Sequence, residues 1–275
     1  MRVVTWNVLW RFEPDWRARE RGILTTLERL SPDLVGLQEC WATDTDTQAH
    51  LIARHLDLYA AYAGPSLPPE PDPPEHPEQA GVRMGVGLVS RWPIRVVAHH
   101  ALPVSHRQIA PMALEVELAA PRGPVRVLVA AVEWEPEYAD DHLAQTTALA
   151  HLLETATPSA PALLLADLNC DPGQAEFAPL AGVADDTWSV GGGAADAVTL
   201  SSTVPFAPLE ATKEMDRRID HVLAAPRGVV DVAAVRIIAE PVGGQYPSDH
   251  FPVVVELELP HQGPRGTQPE YDRDR

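Results

Sequence analysis

The stretch of sequence that decides the fold spans residues 162–173 and reads Ala-Leu-Leu-Leu-Ala-Asp-Leu-Asn-Cys-Asp-Pro-Gly. Its short apolar run is typical of a strand that a sheet buries on both faces. The run ends at Asp167 and Asn169, just before a turn signal. Residues two apart share one face of a strand, so these two side chains should project together. A carboxylate and an amide at such a junction indicate a functional site, and they are equally typical of turn formation.

Four other segments also place a polar or charged residue at the end of an apolar run. They are Thr5-Trp6-Asn7-Val8, Leu37-Gln38-Glu39, Arg218-Ile219-Asp220-His221 and Ser248-Asp249-His250. Together with residues 162–173, and in this order, they resemble the endonuclease/exonuclease/phosphatase superfamily of metal-dependent phosphoesterases, which includes DNase I-like nucleases and neutral sphingomyelinases. The resemblance extends from the first residues to about Glu258. It implies a four-layered α/β/β/α sandwich with two packed, mixed, largely antiparallel sheets.

Hydrophobic periodicity independently predicts an α/β chain with a large antiparallel component. Strands are predicted over residues 2–9, 34–39, 84–90, 94–102, 113–118, 125–132, 162–167, 217–224, 230–240 and 251–259, and helices over 15–30, about 45–55 and 140–154. Glu39 would then close the second strand. Residues 177–180 are predicted to be irregular. The proline-rich residues 64–80 are predicted to form an exposed loop, as a tolerated insertion rather than a cover over a pocket.

Length and composition indicate one domain. The chain has 275 residues, of which 45% are hydrophobic, and the candidate site residues come from both halves. We therefore predict a single domain over residues 1–259 and a disordered polar tail over residues 260–275. No apolar run reaches the roughly 18 residues of a membrane span. The first residues read as a strand rather than a signal peptide, so a cytoplasmic location is expected.

The acidic charge balance argues against long nucleic acid substrates. The formal net charge is −18, whereas a sequence-independent DNA binder needs basic residues that neutralise phosphates. A local basic cluster could still overcome this overall charge. Its candidate members are Arg83, Arg91, Arg95 and Arg107.

The resemblance assigns a metal site to three residues. Glu39 is the predicted primary ligand, with Asn7 beside it as an amide ligand or an orienting group, and Asp249 should face the same side. Hard oxygen ligands suit Mg²⁺ or Mn²⁺, and Mg²⁺ typically takes only one or two carboxylates. The alternative for Glu39 is an ordinary acid at the end of a strand. For Asn7 it is a buried amide that ties loops together.

The resemblance also assigns the catalytic groups. His250 would stabilise or protonate the phosphoryl centre or activate water, and Asp220 would fix its tautomer. Asp167 would act on the nucleophilic water, and Asn169 would orient the phosphate. Arg91, in a Ser-Arg-Trp-Pro segment that is similar to the Ser-Arg-Tyr-Pro of many family members, would bind substrate or fix a loop. His221 is predicted to be a packing residue.

One departure from the family pattern concerns the strand near Val129. The family usually has Thr-His-Leu at its end, and that histidine contacts phosphate. Here the sequence is Ala130-Ala131-Val132-Glu133-Trp134, so Ala131 or Glu133 replaces the histidine. Loss of such a donor would weaken transition-state stabilisation by about 2–4 kcal/mol. His142 or an arginine could substitute for it, and Glu133 could instead add an anionic metal ligand.

The predicted function is Mg²⁺-dependent hydrolysis of a small phosphodiester or phosphomonoester, with water attacking in line. A nuclease that acts on DNA or RNA is the first alternative. A lipid phosphodiesterase is another, and it would need an exposed apolar rim, for which Trp10, Phe12 and Trp16 are the obvious material. A catalytically silent binding module of the same fold is the third, and the missing histidine is the feature that favours it.

Overall fold

Strands and helices alternate along the chain much as the periodicity predicts. The computed structural model describes residues 1–13, 15–155, 161–209 and 215–259. Within them the strands are β1 (Arg2–Asn7), β2 (Leu34–Ala42), β3 (Tyr59–Ala63), β4 (Arg83–Ser90), β5 (Ile94–Ala101), β6 (Met112–Leu118), β7 (Val125–Ala131), β8 (Ala162–Asp167), β9 (Asp185–Asp186), β10 (Asp220–Ala225), β11 (Asp231–Ile237) and β12 (Val253–Glu258). The α-helices are α1 (Trp16–Leu30), α2 (Gln48–Leu56), α3 (Ala139–Glu154), α4 (Ala178–Val183) and α5 (Thr187–Val190). The predicted tail over 260–275 lies outside the described residues.

The strands form two six-stranded sheets that pack face to face. The first sheet has the order β11-β12-β1-β2-β4-β3, and the second has the order β5-β6-β7-β8-β10-β9. Most neighbours are antiparallel, whereas β1 with β2 and β7 with β8 are parallel. Helices α1 and α2 cover the outer face of the first sheet, and α3 and α4 cover the second. The predicted four-layered α/β/β/α sandwich is therefore confirmed. No helix in the described ranges is both long and apolar enough to cross a membrane.

Strand β8 shows why its apolar run is continuous. Leu163 and Leu165 point into the core between the two sheets. Leu164, between them in sequence, points the other way and packs against the helix layer with Leu149 of α3. A strand covered on both faces needs apolar side chains at every position, so the run has no alternation.

Strand β2 departs from the prediction at Glu39. The strand does not end there but continues to Ala42, and its register with β4 shifts between Leu37 and Cys40. Glu39 adopts a φ of 54°, a left-handed conformation that is costly for a non-glycine residue. Such an irregularity bends the strand and re-aims one side chain. The site residue thus sits inside a strand because a bulge redirects it.

Four short elements were not predicted, namely β3, β9, α4 and α5. Strand β3 is alanine-rich and lacks the β-branched residues that mark strands, and α4 occupies part of the segment predicted to be irregular. Residues 64–80 form no strand and contain only a short 3₁₀ turn, Pro77–Gln79. This loop is fastened to the body of the protein, since the Trp16 indole donates to Glu78 Oε2 over 2.7 Å.

Candidate functional site

The predicted site residues come from strands whose ends meet at one edge of the sandwich. β1 and β2 run parallel, so Asn7 and Glu39 lie toward the same edge. β10 begins where β8 ends, because Asp220 pairs with Asp167. Residues 248–250 precede β12, which is antiparallel to β1 and therefore starts at that edge. Residues far apart in sequence thus converge at one place.

Asn7 connects the two sheets within this edge. Its Nδ2 donates to Glu39 Oε1 and to Asp167 Oδ2, each over 2.9 Å. Its Oδ1 accepts from the backbone N–H of Leu9 over 3.0 Å. All three polar residues are buried, so the carboxylates of Glu39 and Asp167 are held close together away from bulk water. The structure brings together Glu39, which the sequence analysis proposed as the primary metal ligand, and Asp167, which it proposed to act on the nucleophilic water.

His250 is held by the Asp220 carboxylate. The His250 Nδ1 to Asp220 Oδ2 distance is 2.8 Å, and His250 Nε2 lies 3.9 Å from Asp167 Oδ2. Burial opposes protonation of the imidazole, but the carboxylates of Asp220, Asp249 and Asp167 outweigh it and raise the pKa of His250 to about 10. Without a bound cation these carboxylates favour the imidazolium form, whose Nδ1–H is directed at Asp220.

Asn169 and Asp249 complete the set that converges at this edge. The Asn169 N–H donates to Asp167 Oδ1 over 3.1 Å, and Asn169 Nδ2 donates to the Val132 carbonyl over 3.0 Å. Turn formation and site placement, the two interpretations of this segment, therefore coexist. Asp249 is buried, and its Oδ1 accepts from the Ser248 hydroxyl over 3.2 Å.

Several buried polar atoms of the site lack a hydrogen-bond partner within the described part of the chain. They are Asp220 Oδ1, His250 Nε2 and Asn169 Oδ1. Ligand atoms of Asp167, Asp220 and His250 also lie within 4.8 Å of one another. A buried polar atom without a partner costs about 1–3 kcal/mol. Carboxylate oxygens in excess of positive charge, beside such atoms, fit a divalent cation with hard-ligand preference.

Arg19 is a residue near the site that the sequence analysis missed. Its side chain on α1 is buried, and its Nη2 donates to the Trp10 carbonyl over 2.8 Å. Its Nη1 donates to the carbonyls of Val8 and Pro247, both over 3.3 Å. Burial lowers the pKa of Arg19, and the nearby Asp249 carboxylate opposes this. The guanidinium thus ties the loop after Asn7 to the segment before Asp249.

Arg91 is not brought to the site. Its side-chain Nε lies 2.5 Å from Asp33 Oδ1, and its backbone N–H donates to the Asp33 carbonyl over 2.8 Å. Asp33 precedes β2, whose bulge at Glu39 lies five residues beyond Leu34, about 17 Å away at roughly 3.3 Å per residue. The proposed substrate contact of Arg91 does not fit this position, whereas its alternative role of fixing a loop does.

Glu133 does not face the other carboxylates as a ligand. It is fully buried, and the Arg107 guanidinium grips it with two hydrogen bonds, of 2.8 Å to Oε2 and 2.9 Å to Oε1. Burial opposes ionisation of Glu133, but the bonds from Arg107 prevail and lower its pKa. His142 is also committed, since its Nε2 donates to the Leu168 carbonyl over 2.8 Å. Neither residue is placed to replace the missing histidine.

His221 faces the opposite side of β10 from Asp220, as predicted. Its Nδ1 accepts from Arg218 Nη1 over 2.7 Å, and its Nε2 donates to the Cys170 carbonyl over 2.9 Å. Burial and the Arg218 charge lower the pKa of His221 to about 4. Arg218 in turn contacts Asp186 Oδ2 over 2.6 Å. This cluster is saturated with internal hydrogen bonds.

Comparisons with known proteins agree with this architecture. No curated protein matches the chain. Among solved structures, the endonuclease/exonuclease/phosphatase from Beutenbergia cavernae DSM 12333 is 24% identical with a TM-score of 0.69, covering 94% of this chain and 71% of that chain. D. rerio TDP2 complexed with single strand DNA product is 16% identical with a TM-score of 0.72, covering 94% and 99%. The Bacteroides thetaiotaomicron VPI-5482 mannosyl-6-phosphatase Bt3783 is 15% identical with a TM-score of 0.73, covering 94% and 100%.

The sequence also matches a family model over almost the whole sandwich. The model describes the Endonuclease/Exonuclease/phosphatase family, and residues 4–250 match it. This range includes the strands that supply the site and the histidine at its end. The resemblance noted in the sequence is thereby confirmed. The chain belongs to the endonuclease/exonuclease/phosphatase family.

Proposed function

We propose that the chain is a phosphoric ester hydrolase that depends on Mg²⁺ or Mn²⁺ and acts on a small phosphodiester or phosphomonoester. Hydrolytic phosphoesterases predominate in its family, and they are generally dependent on a divalent metal. The observation that carries the proposal is the buried convergence of four carboxylates with one imidazolium at a single edge. The carboxylates belong to Glu39, Asp167, Asp220 and Asp249. Buried charge of one sign is costly unless a counter-ion compensates it.

Two neighbouring positions could hold the cation. The atoms of Asp167, Asp220 and His250 are close enough to one another. However, Mg²⁺ prefers oxygen ligands to imidazole nitrogen, and Asp220 Oδ2 is already bonded to His250 Nδ1 over 2.8 Å. We therefore favour the side of Glu39 and Asp249. A divalent cation bound there neutralises charge on the phosphoryl oxygens and acidifies water.

The hydrogen bonds support an orienting role for Asn7. Its Oδ1 is engaged by the Leu9 N–H, and its Nδ2 faces Glu39 and Asp167. The amide nitrogen cannot ligate a cation, but it fixes both carboxylates. The sequence left open whether Asn7 is a metal ligand or an orienting group, and this arrangement favours the orienting group.

The remaining residues suit in-line attack of water on phosphorus. Asp167 offers a carboxylate that can accept a proton from water, and the His250 imidazolium offers its Nε2–H to a phosphoryl or departing oxygen. Asp220 holds that ring in place. The Asn169 Oδ1 atom is an acceptor without a partner among the described residues. It therefore suits a water molecule better than a phosphate oxygen.

The alternatives have less support. The positive charge of the proposed basic cluster is offset, since Arg83, Arg91 and Arg107 each pair with a carboxylate. This arrangement disfavours a long nucleic acid, although one similar structure is titled as a complex with single strand DNA product. Trp10 and Trp16 do not form the exposed apolar rim that a lipid phosphodiesterase would need, because both are buried. A silent module has no need of unpartnered buried groups.

The direct test is hydrolysis of bis-p-nitrophenyl phosphate by the purified chain with Mg²⁺ or Mn²⁺. We expect metal-stimulated turnover that Asp167→Ala and His250→Ala each reduce by about 10²–10⁴-fold. Arg91→Ala, which removes the ion pair with Asp33 just before β2, is the matched control and should turn over normally. Turnover that survives both site substitutions would refute the assigned roles. Absence of turnover across a panel of phosphoesters would favour the silent module.

A further inference from the structure

We infer that a cavity beside the proposed site binds the alcohol part of the phosphoester, and that this part is a polyhydroxylated, sugar-like group. The inference deepens the proposed function and rests on it. The cavity has a volume of about 780 Å³, which lies in the usual range for small-molecule sites. None of the four converging carboxylates lines it, so it is a separate space.

The cavity is lined by segments that adjoin site residues in the sequence. One wall is Asp171–Gly173, which begins two residues after Asn169. The opposite wall is residues 215–218, which end two residues before Asp220. An ion pair between Asp171 and Arg217 joins the two walls. The inference places the alcohol part of a phosphoester held at the site in this adjoining space.

The floor of the cavity is rigid. The Trp188 indole donates to the Ala194 carbonyl over 2.9 Å, and Gly193 packs so closely on the ring that a Cβ would lie 2.2 Å from it. Arg218, also in the lining, is held by Asp186 and His221. A preformed floor binds a ligand without the cost of ordering its side chains.

The chemistry of the rim favours hydroxyl groups. Asp196, Asp216 and Arg217 are exposed around the opening. Asp216 already accepts from the Ser202 N–H over 2.9 Å and from its hydroxyl over 2.8 Å, and Arg217 pairs with Asp171. The hydroxyl groups of a ligand would therefore bond chiefly to Asp196, because a carboxylate accepts hydrogen bonds from hydroxyls. Asp196 is exposed, and its carboxylate has no hydrogen bond or ion pair to another residue of the described ranges.

The same rim disfavours a nucleobase or a polyanion. Gly193 packs against the Trp188 ring, and the Arg218 guanidinium lies 5.8 Å from the centre of that ring. Only 7% of Trp188 is exposed. No open aromatic face remains there for a base to stack on. The acidic side chains of the rim outnumber its basic ones, which repels a second phosphate.

The test compares two ligands that share a phosphate but differ in the alcohol part. Glucose 6-phosphate and ethyl phosphate are measured as competitive inhibitors of bis-p-nitrophenyl phosphate hydrolysis with Mg²⁺. We expect glucose 6-phosphate to bind at least tenfold more tightly than ethyl phosphate. Ala195→Trp fills the cavity from its exposed rim and should reduce this preference at least tenfold. Asp196→Asn should reduce it severalfold, because a carboxylate is the stronger acceptor.

The matched control is Ala233→Trp, on the exposed face of β11 and outside both the cavity and the site. It should leave the preference unchanged. Equal binding of the two ligands by the wild type, or a preference that survives Ala195→Trp, would overturn the inference. If the wild type hydrolyses no ester, the proposed function fails. Calorimetric titration with the same two phosphates then tests the cavity independently, with equal affinities counting against it.

Discussion

Asp220 and His221 are neighbours on β10, yet the two sides that they face differ in how polar groups are satisfied. On the site side, Asp220 Oδ1 and His250 Nε2 are buried without a hydrogen-bond partner in the described residues. On the other side, both ring nitrogens of His221 are engaged, and Arg218 grips Asp186. Asp220 and His221 themselves are both fully buried. The difference indicates that one cluster holds the fold together and the other is arranged to bind a ligand.

The pKa values of the two buried imidazoles also shift in opposite directions. Carboxylates around His250 raise its pKa to about 10, whereas burial and the Arg218 charge lower the pKa of His221 to about 4. A cluster of acids therefore keeps one ring charged, and an adjacent guanidinium keeps the other neutral. Substitutions on each side should have correspondingly different consequences.

The largest effect is expected for Asp167→Asn on the unsatisfied side. Turnover of bis-p-nitrophenyl phosphate should fall about 10³-fold, because the amide cannot accept a proton from water. Thermal stability should change little, since the variant removes one of several mutually repelling carboxylates. Steady-state kinetics and differential scanning calorimetry measure the two quantities. A large loss of stability with retained turnover would reverse our distinction between the two sides.

The next effect concerns the support behind the site. Arg19→Lys keeps the positive charge but cannot reach the three carbonyl groups that Arg19 joins. We expect turnover to fall about 10–100-fold, since small displacements of catalytic groups are costly. The free energy of unfolding should decrease by about 3 kcal/mol, because carbonyls lose their donors. Arg91→Lys is the matched control. If Arg19→Lys turns over like the wild type, charge alone suffices.

The saturated side predicts a pH dependence of stability. The pKa of His221 is lowered from 6.5 to about 4 in the folded protein, so the unfolded chain takes up a proton first as the pH falls. Stability should therefore decrease between pH 6.5 and pH 4, by on the order of 3 kcal/mol from this residue. His221→Gln keeps a donor for the Cys170 carbonyl and should flatten this dependence. Urea unfolding across this pH range tests it, and parallel curves for both proteins would count against the prediction.

The smallest effect is metal stabilisation. Mn²⁺ at ten times its dissociation constant should stabilise the wild type by about 1.4 kcal/mol, because only the folded state assembles the ligands. Glu39→Gln should lose this gain, and His221→Gln should keep it. Melting temperatures with Mn²⁺ and with a chelator measure the difference. Equal stabilisation of Glu39→Gln and the wild type would place the ion elsewhere.

The fold could be predicted wherever the burial of an element determines the spacing of its apolar residues. The continuous apolar run of β8 reports a strand covered on both faces, and the helical spacing of Ile23 and Leu27 reports α1. The bulge at Glu39 could not be predicted, because a positive φ is imposed by the neighbouring strands rather than by local sequence. Strand β3 was not predicted, because alanine has little preference for strands.

The candidate site was only partly predictable. The order of the motifs along the chain and their positions at the ends of apolar runs predicted that Asn7 and Asp167 belong to one site. Arg19 was missed although it lies four residues before Ile23 on the same buried face of α1, a spacing that could have revealed it. The two roles left open for Arg91 could not be separated by its motif, because the motif does not reveal at which edge of the sandwich the residue after β4 lies. The cavity depends on loops that are distant in sequence, and no local pattern reports it.

The central claim is that these residues surround one divalent cation at the shared edge of the two sheets. Anomalous diffraction from a crystal soaked in Mn²⁺ tests it most directly, with a Glu39→Gln crystal as the matched control. The account predicts a peak within ligand distance of Glu39 in the wild type, about 2.0–2.6 Å, and none in the variant. A peak remote from Glu39 and Asp167, or none at saturating Mn²⁺, would contradict it.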